Sequence, residues 1–140
     1  MKNLLFNNQP LFPETSYFVL RLCTGIAMLY YHGWSKILSD SLRWERLGSS
    51  LSQWIGLDAL AVPLGFMAAF SESIGSLLIA LGLLTRPAAF LLGITMLVAS
   101  SKKLSEAGID GSELPLLFLM LSVVVLLKGP GKYSLDRILF

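Results

Sequence analysis

The chain has 140 residues, of which 54% are hydrophobic and only 14% charged, with 11 Lys and Arg against 9 Asp and Glu and a net charge of +2. Soluble domains average roughly 25% charged residues, and a globule this small needs dense polar cover. Together with a mean hydropathy of +0.68, this excludes a disordered chain, a collagenous repeat and a highly charged binder, so no nucleic-acid partner is expected. What remains is one domain, residues 1–140, embedded in the lipid bilayer.

The chain has one cysteine, Cys23, and one histidine, His32. An internal disulfide, a CxxC redox pair and a metal centre of several histidines are therefore excluded, and no intrinsic cofactor is expected. Any redox role needs a bound diffusible carrier or a partner protein. Residues 1–15 mix Asn7, Asn8, Pro10, Pro13 and Glu14, which is not the form of a signal peptide.

A membrane-crossing helix needs about 17–25 mostly apolar residues. Taken in chain order, the first such stretch is 16–38, with Tyr17, Tyr30, Tyr31 and Trp34 near its ends as interfacial aromatics. Segment 41–57 has Trp44, Leu47, Leu51, Trp54 and Ile55 at three- and four-residue spacing, the pattern of an amphipathic helix at the headgroup interface. The second stretch is 60–84, with Pro63 in its first turn. Thr85-Arg86 then leads to Pro87 and a third, short stretch, 87–101, which must form an antiparallel hairpin with the second. A loop spans Lys102 to Asp110, and the fourth stretch, 112–127, stops at Gly129-Pro130-Gly131. The fold class predicted is all-α: a four-transmembrane-helix antiparallel bundle with an interfacial helix between helices 1 and 2. Four crossings put both termini on one side. Lys and Arg divide almost evenly between the two sides; we assign the termini to the cytoplasm.

Ionisable groups inside a span cost about 2.5–3.5 kcal/mol each on insertion scales, so each needs a reason. At about 100° per residue, Arg21, Gly25, His32 and Lys36 share one stripe of the first helix. Lys36 and Arg21 also have the reach to snorkel to an interface. Glu72 does not: it lies about twelve residues from either end of its span, near the midplane, and must be neutral, paired or open to a cavity. Arg21 and His32 are expected to lean toward it. The small residues Gly65, Ala68, Gly75 and Ser76 around Glu72 allow close helix approach or leave room for a ligand. Thr95 and Ser122 read as backbone-bonded hydroxyls, and Cys23 as a buried small hydrophobe.

Three strings carry a resemblance. RLCTGIAMLYYHGWSKI (21–37) resembles the first helix of the DoxX family of small bacterial membrane proteins. ESIGSLLIALGLLTR (72–86) is similar to that family's second signature, and GPGKYSLDRIL (129–139) to its closing string. One departure is Gly75-Ser76, where the family often has two adjacent glycines. The resemblance implies a four-helix fold in the bacterial inner membrane and association with oxidoreductase systems. By position it carries over Arg21, His32, Lys36, Glu72 and the turn residue Arg86.

The leading expectation is a small membrane subunit of an oxidoreductase system that binds a quinone or similar lipophilic carrier. Glu72 and His32 would be its proton-exchanging, catalytic groups. Arg21, Lys36, Arg86, Gly25, Gly75 and Ser76 would line the ligand site. Such a subunit is not a complete enzyme, and a soluble oxidoreductase partner is implied; a homo-oligomer is compatible with its small-residue faces. The alternative is a non-catalytic anchor or assembly factor whose partner surface is 41–57 or the Lys102–Asp110 loop. A small-solute transporter using Glu72 as proton carrier ranks below both.

Overall fold

The computed structural model describes residues 11–140, whose regular secondary structure is entirely helical. Lys2, Asn7, Asn8 and Pro10 lie outside the described residues. Helix α1 (Pro13–Met28) begins on a proline, whose missing N–H costs nothing in a first turn. It continues through a π turn, Leu29–Gly33, into α2 (Trp34–Ile37). Asp40 caps α3 (Ser41–Ile55) by accepting the Arg43 N–H at 3.1 Å, and the helix stops at Gly56 with φ 69°. A 3₁₀ turn, Asp58–Leu60, leads to α4 (Ala61–Phe70). A second π turn, Ser71–Gly75, then leads into α5 (Ser76–Leu81). Next come α6 (Thr85–Lys128) and the short α7 (Asp136–Leu139).

Two helical stretches are long and apolar enough to cross a membrane: Asp58–Leu81, with 24 residues, and Thr85–Lys128, with 44. The first rod, residues 13–37, holds most of the span expected at 16–38 but is not one of the two; Arg21, His32 and Lys36 lower its hydropathy. The expected loop from Lys102 to Asp110 is largely helix. Lys102, Lys103, Leu104, Glu106 and Ala107 are good helix formers with no proline among them. The helix gives way at one residue, Gly108, at φ 71° and ψ −163°.

Glycines set the helix register. A side chain at Gly25 would strike the Ser76 carbonyl and Ala80, and one at Gly33 would strike the Glu72 carbonyl, so residues 13–37 run antiparallel to 71–81. Gly48 meets the Ala61 carbonyl and Gly65 the Trp44 carbonyl in the same way, which makes α3 and α4 a second antiparallel pair. The amphipathic helix expected over 41–57 therefore forms, but it packs closely on α4, with the Trp44 ring edge-on to Phe66 at 5.1 Å. The Ser71 and Thr95 hydroxyls lie 2.7 Å apart, a pairing across the 82–84 turn that fits the hairpin its brevity predicted. Met28, Ile79, Leu92, Met96, Phe118 and Val125 pack together in the core.

The chain end closes one end of the bundle. Tyr17 donates its hydroxyl to the Gly129 carbonyl at 2.5 Å, and Arg21 donates from Nη2 to the Tyr133 carbonyl at 2.5 Å. The Asp136 N–H donates to the Gly82 carbonyl at 2.8 Å. Its carboxylate accepts from the Leu84 N–H at 2.6 Å, the Thr85 N–H at 2.9 Å and the Thr85 hydroxyl at 2.8 Å. A residue some fifty positions downstream thus caps α6 and places its charge at the positive helix end.

Candidate functional site

The two π turns face each other, with Gly33 seated directly on the backbone of Glu72 and Ser73. Such turns are rare and frequently occur at functional sites. Here each carries an ionisable residue: His32 in the first, Glu72 in the second. Glu72 is 2% exposed. Its Oε2 forms an ion pair with Lys36 Nζ, whose side chain is partly accessible. Lys36 lies one helical turn beyond Gly33, and side chains on a helix lean toward its N-terminus, which brings the ammonium back to the level of Glu72.

The pair borders a cavity of about 740 Å³ between α1–α2, α3, α4 and α6. One region of its wall holds His32, Lys36, Glu72 and Thr95. Met28, Leu91, Ile94 and Phe118 supply apolar wall, and Lys102, Lys103 and Glu106 line it as well. The His32 ring lies edge-on to Phe118 at 6.0 Å. Thr95 is more than the backbone-bonded hydroxyl it was expected to be. Its Oγ1 is 3.0 Å from the Leu91 carbonyl and also pairs with Ser71, whose own hydroxyl donates to the Ala68 carbonyl at 2.8 Å.

Of the residues singled out from the sequence, His32, Lys36 and Glu72 come together at this cavity. Arg21 does not. The Gly25–Ser76 register places it near Gly82, at the chain-end side of the bundle, rather than beside Glu72. There it is fully buried under Gly82, whose φ of 71° only glycine adopts easily and where a Cβ would collide with the guanidinium. Its Nε and Nη1 have no hydrogen-bond partner among the described residues. Arg86 is exposed at the same end, against Gly129.

Gly25 and Ser76 serve helix packing, and the Ser76 hydroxyl donates to the Ser71 carbonyl at 3.3 Å. Gly75 meets nothing closer than 3.7 Å, so its smallness is not required for packing. Two further expectations are corrected. Cys23 is exposed, because it sits on the outer face of α1 away from Arg21 and Thr24. Tyr17 is buried rather than interfacial, because its hydroxyl is taken by Gly129.

Gly33, Thr95 and Asp136 were not picked out as site or packing residues from the sequence. A glycine beside the only histidine was a usable signal for Gly33. Neither Thr95 nor Asp136 has a local one, since their partners lie 24 and 51 residues away.

Residues 16–101 match the DoxX family model. A protein of Haemophilus influenzae described as uncharacterized is 31% identical over 132 residues, covering 89% of this chain and 92% of the relative. No solved structure matches the chain.

Proposed function

This chain belongs to the DoxX family of membrane proteins, and from that premise we propose that it is a small membrane subunit of an oxidoreductase system that binds a quinone or similar lipophilic carrier in the cavity beside Glu72. The observation that carries the reading is the polar wall of His32, Lys36, Glu72 and Thr95 on a cavity of about 740 Å³ that also presents the apolar side chains of Met28, Leu91, Ile94 and Phe118, with Lys102, Lys103 and Glu106 at its α6 side. Ligand pockets of about 300–1,000 Å³ with a few convergent polar groups take such ligands.

We read the chain as crossing the bilayer four times, in residues 13–37, 58–81, 85–107 and 109–128. A straight α6 of 44 residues would be about 66 Å long, twice the roughly 30 Å hydrocarbon core, and the break at Gly108 divides it into two membrane-length halves. Four crossings bring both termini to one side, assigned to the cytoplasmic face of the inner membrane. At about 1.5 Å per residue Glu72 is about 15 Å from the 82–84 turn, near the bilayer midplane. Helix α3, packed on the N-terminal half of the second crossing, lies at the opposite interface.

A bound quinone supplies two-electron, two-proton chemistry, and the rest falls to the protein's own residues. His32 offers a ring N–H as donor to a carbonyl oxygen. Glu72 and His32 hold and pass protons, and the Lys36 ammonium offsets negative charge in a site where water screens little. With one histidine and one cysteine, the chain relies on a soluble partner for electron exchange.

The test is thermal unfolding of the purified protein with a short-chain ubiquinone and a menaquinone analogue. Ligand at a hundredfold excess over its Kd stabilises by about 2.7 kcal/mol, so a rise of several degrees is expected, reduced in His32→Ala. The absence of any shift with either probe would favour the anchor reading, which the Lys36–Glu72 pair supports as a purely structural clamp between two helices.

A further inference from the structure

At the end of the bundle opposite α3, the closing segment forms a groove of about 500 Å³ lined by Leu81, Lys132, Tyr133, Leu135, Arg137 and Ile138, together with Ser134. We propose that this groove binds the phosphate headgroup of an anionic phospholipid, with Lys132 and Arg137 as its ligands and Leu81, Leu135 and Ile138 against the acyl chains. The proposal rests on the membrane character of the family and not on the quinone reading.

Charge points to the ligand. No carboxylate lines the groove. The acids beside it are engaged with the backbone: Asp136 turns both oxygens inward to Leu84 and Thr85, and Glu14 Oε2 accepts the Lys132 backbone N–H at 3.1 Å. Neither Lys132 nor Arg137 forms an ion pair among the described residues, whereas Lys128 at the same end lies 3.9 Å from Glu14. An Arg fork and a Lys point charge are the side chains that take a phosphate.

The groove is also held in shape. Arg21 holds the Tyr133 carbonyl, and the Leu135 N–H donates to the Leu81 carbonyl at 3.3 Å. Leu81, at the end of one membrane-length stretch, is exposed, so the apolar floor continues onto the outer wall of the bundle. Within the groove Ile138 is 78% exposed, and Phe140 next to it is 91% exposed, apolar surface suited to the acyl boundary of the leaflet. Each cation near an anionic surface contributes about fivefold in binding.

The experiment uses the full-length protein in neutral detergent micelles carrying phosphatidylglycerol or phosphatidylcholine, with retained lipid counted by native mass spectrometry. A preference on the order of tenfold for phosphatidylglycerol is expected, lost in the Lys132→Gln/Arg137→Gln double variant. Lys102→Gln/Lys103→Gln, at the other end, should keep it. Equal retention of the two lipids, or an undiminished preference in the first double variant, would overturn the proposal. Stabilisation by inorganic phosphate equal to that by phosphatidylglycerol would also overturn it, because the groove would then be an anion site and not a lipid site. Since retained lipid is read without any quinone, failure of the quinone reading leaves this result interpretable.

Discussion

Lys36 and Glu72 form an ion pair at the level where two π turns meet, with the carboxylate almost fully buried and the ammonium partly open to the cavity. The asymmetry predicts unequal costs. Lys36→Met leaves a buried carboxylate unpaired, whereas Glu72→Gln leaves a cation that still reaches polar surroundings. Breaking a buried pair from one side costs about 3–5 kcal/mol. Lys36→Met should approach that range and Glu72→Gln should stay near 1–2 kcal/mol. The double variant Lys36→Met/Glu72→Gln should recover most of the loss. Thermal unfolding of the three proteins measures this; equal costs would show that the burial difference is energetically unimportant.

Gly33 and Gly75 separate close approach from mere smallness. A methyl group at Gly33 would collide with the Glu72 carbonyl, which is backbone and cannot swing away. Gly33→Ala should therefore lose about 3 kcal/mol or shift the π turns apart and alter the cavity. Gly75→Ala meets only ordinary contacts at 3.7 and 3.9 Å, and a helical alanine gains up to about 1 kcal/mol over glycine. Unfolding midpoints should move in opposite directions. A Gly33→Ala protein as stable as wild type would contradict the register described here.

Asp136 gives the fold a dependence on acid. Burial pushes its carboxyl up, but hydrogen bonds from the Thr85 backbone and hydroxyl and the Leu84 N–H, with the Arg21 charge nearby, outweigh this and hold it below its ordinary value. The sign follows from the lowered folded-state value. The stabilisation is fully present above the unfolded value of about 3.9 and is lost as pH falls through the lower folded value. Wild-type stability should decline below about pH 4 more steeply than that of Asp136→Asn, which lacks the titration and starts less stable at neutral pH. Parallel pH profiles for the two proteins would mean that the cap contributes nothing through its charge.

The expensive groups were legible in the sequence, and their levels were not. His32, Lys36 and Glu72 stood out because a charge or polar ring inside an apolar run costs several kcal/mol, and they do meet at one cavity. Arg21 stood out for the same reason but belongs to the other end of the bundle. Sharing a stripe says which way a side chain faces, while the level is decided by Gly25 against Ser76 and Gly33 against Glu72. The π turn at Leu29–Gly33 also widens one turn between Arg21 and Lys36, which a count at 3.6 residues per turn does not register. Charge likewise misplaced the loop at Lys102, since polar residues end an apolar run without ending a helix.

The proposed four crossings turn on the break at Gly108, and accessibility tests them. If residues 85–107 and 109–128 are separate crossings, Ser105 lies on the same side as Ser49 of α3, and both lie opposite Lys132. In a Cys23→Ser background, Ser105→Cys and Ser49→Cys should react with a membrane-impermeant maleimide from one face of sealed vesicles. Lys132→Cys should react only from the other. All three positions are exposed or partly exposed, so failure to label reports the barrier and not burial in the protein. Labelling of Ser105→Cys and Lys132→Cys from the same face would show that α6 does not return through the bilayer at Gly108, and the four-crossing arrangement would fall with it.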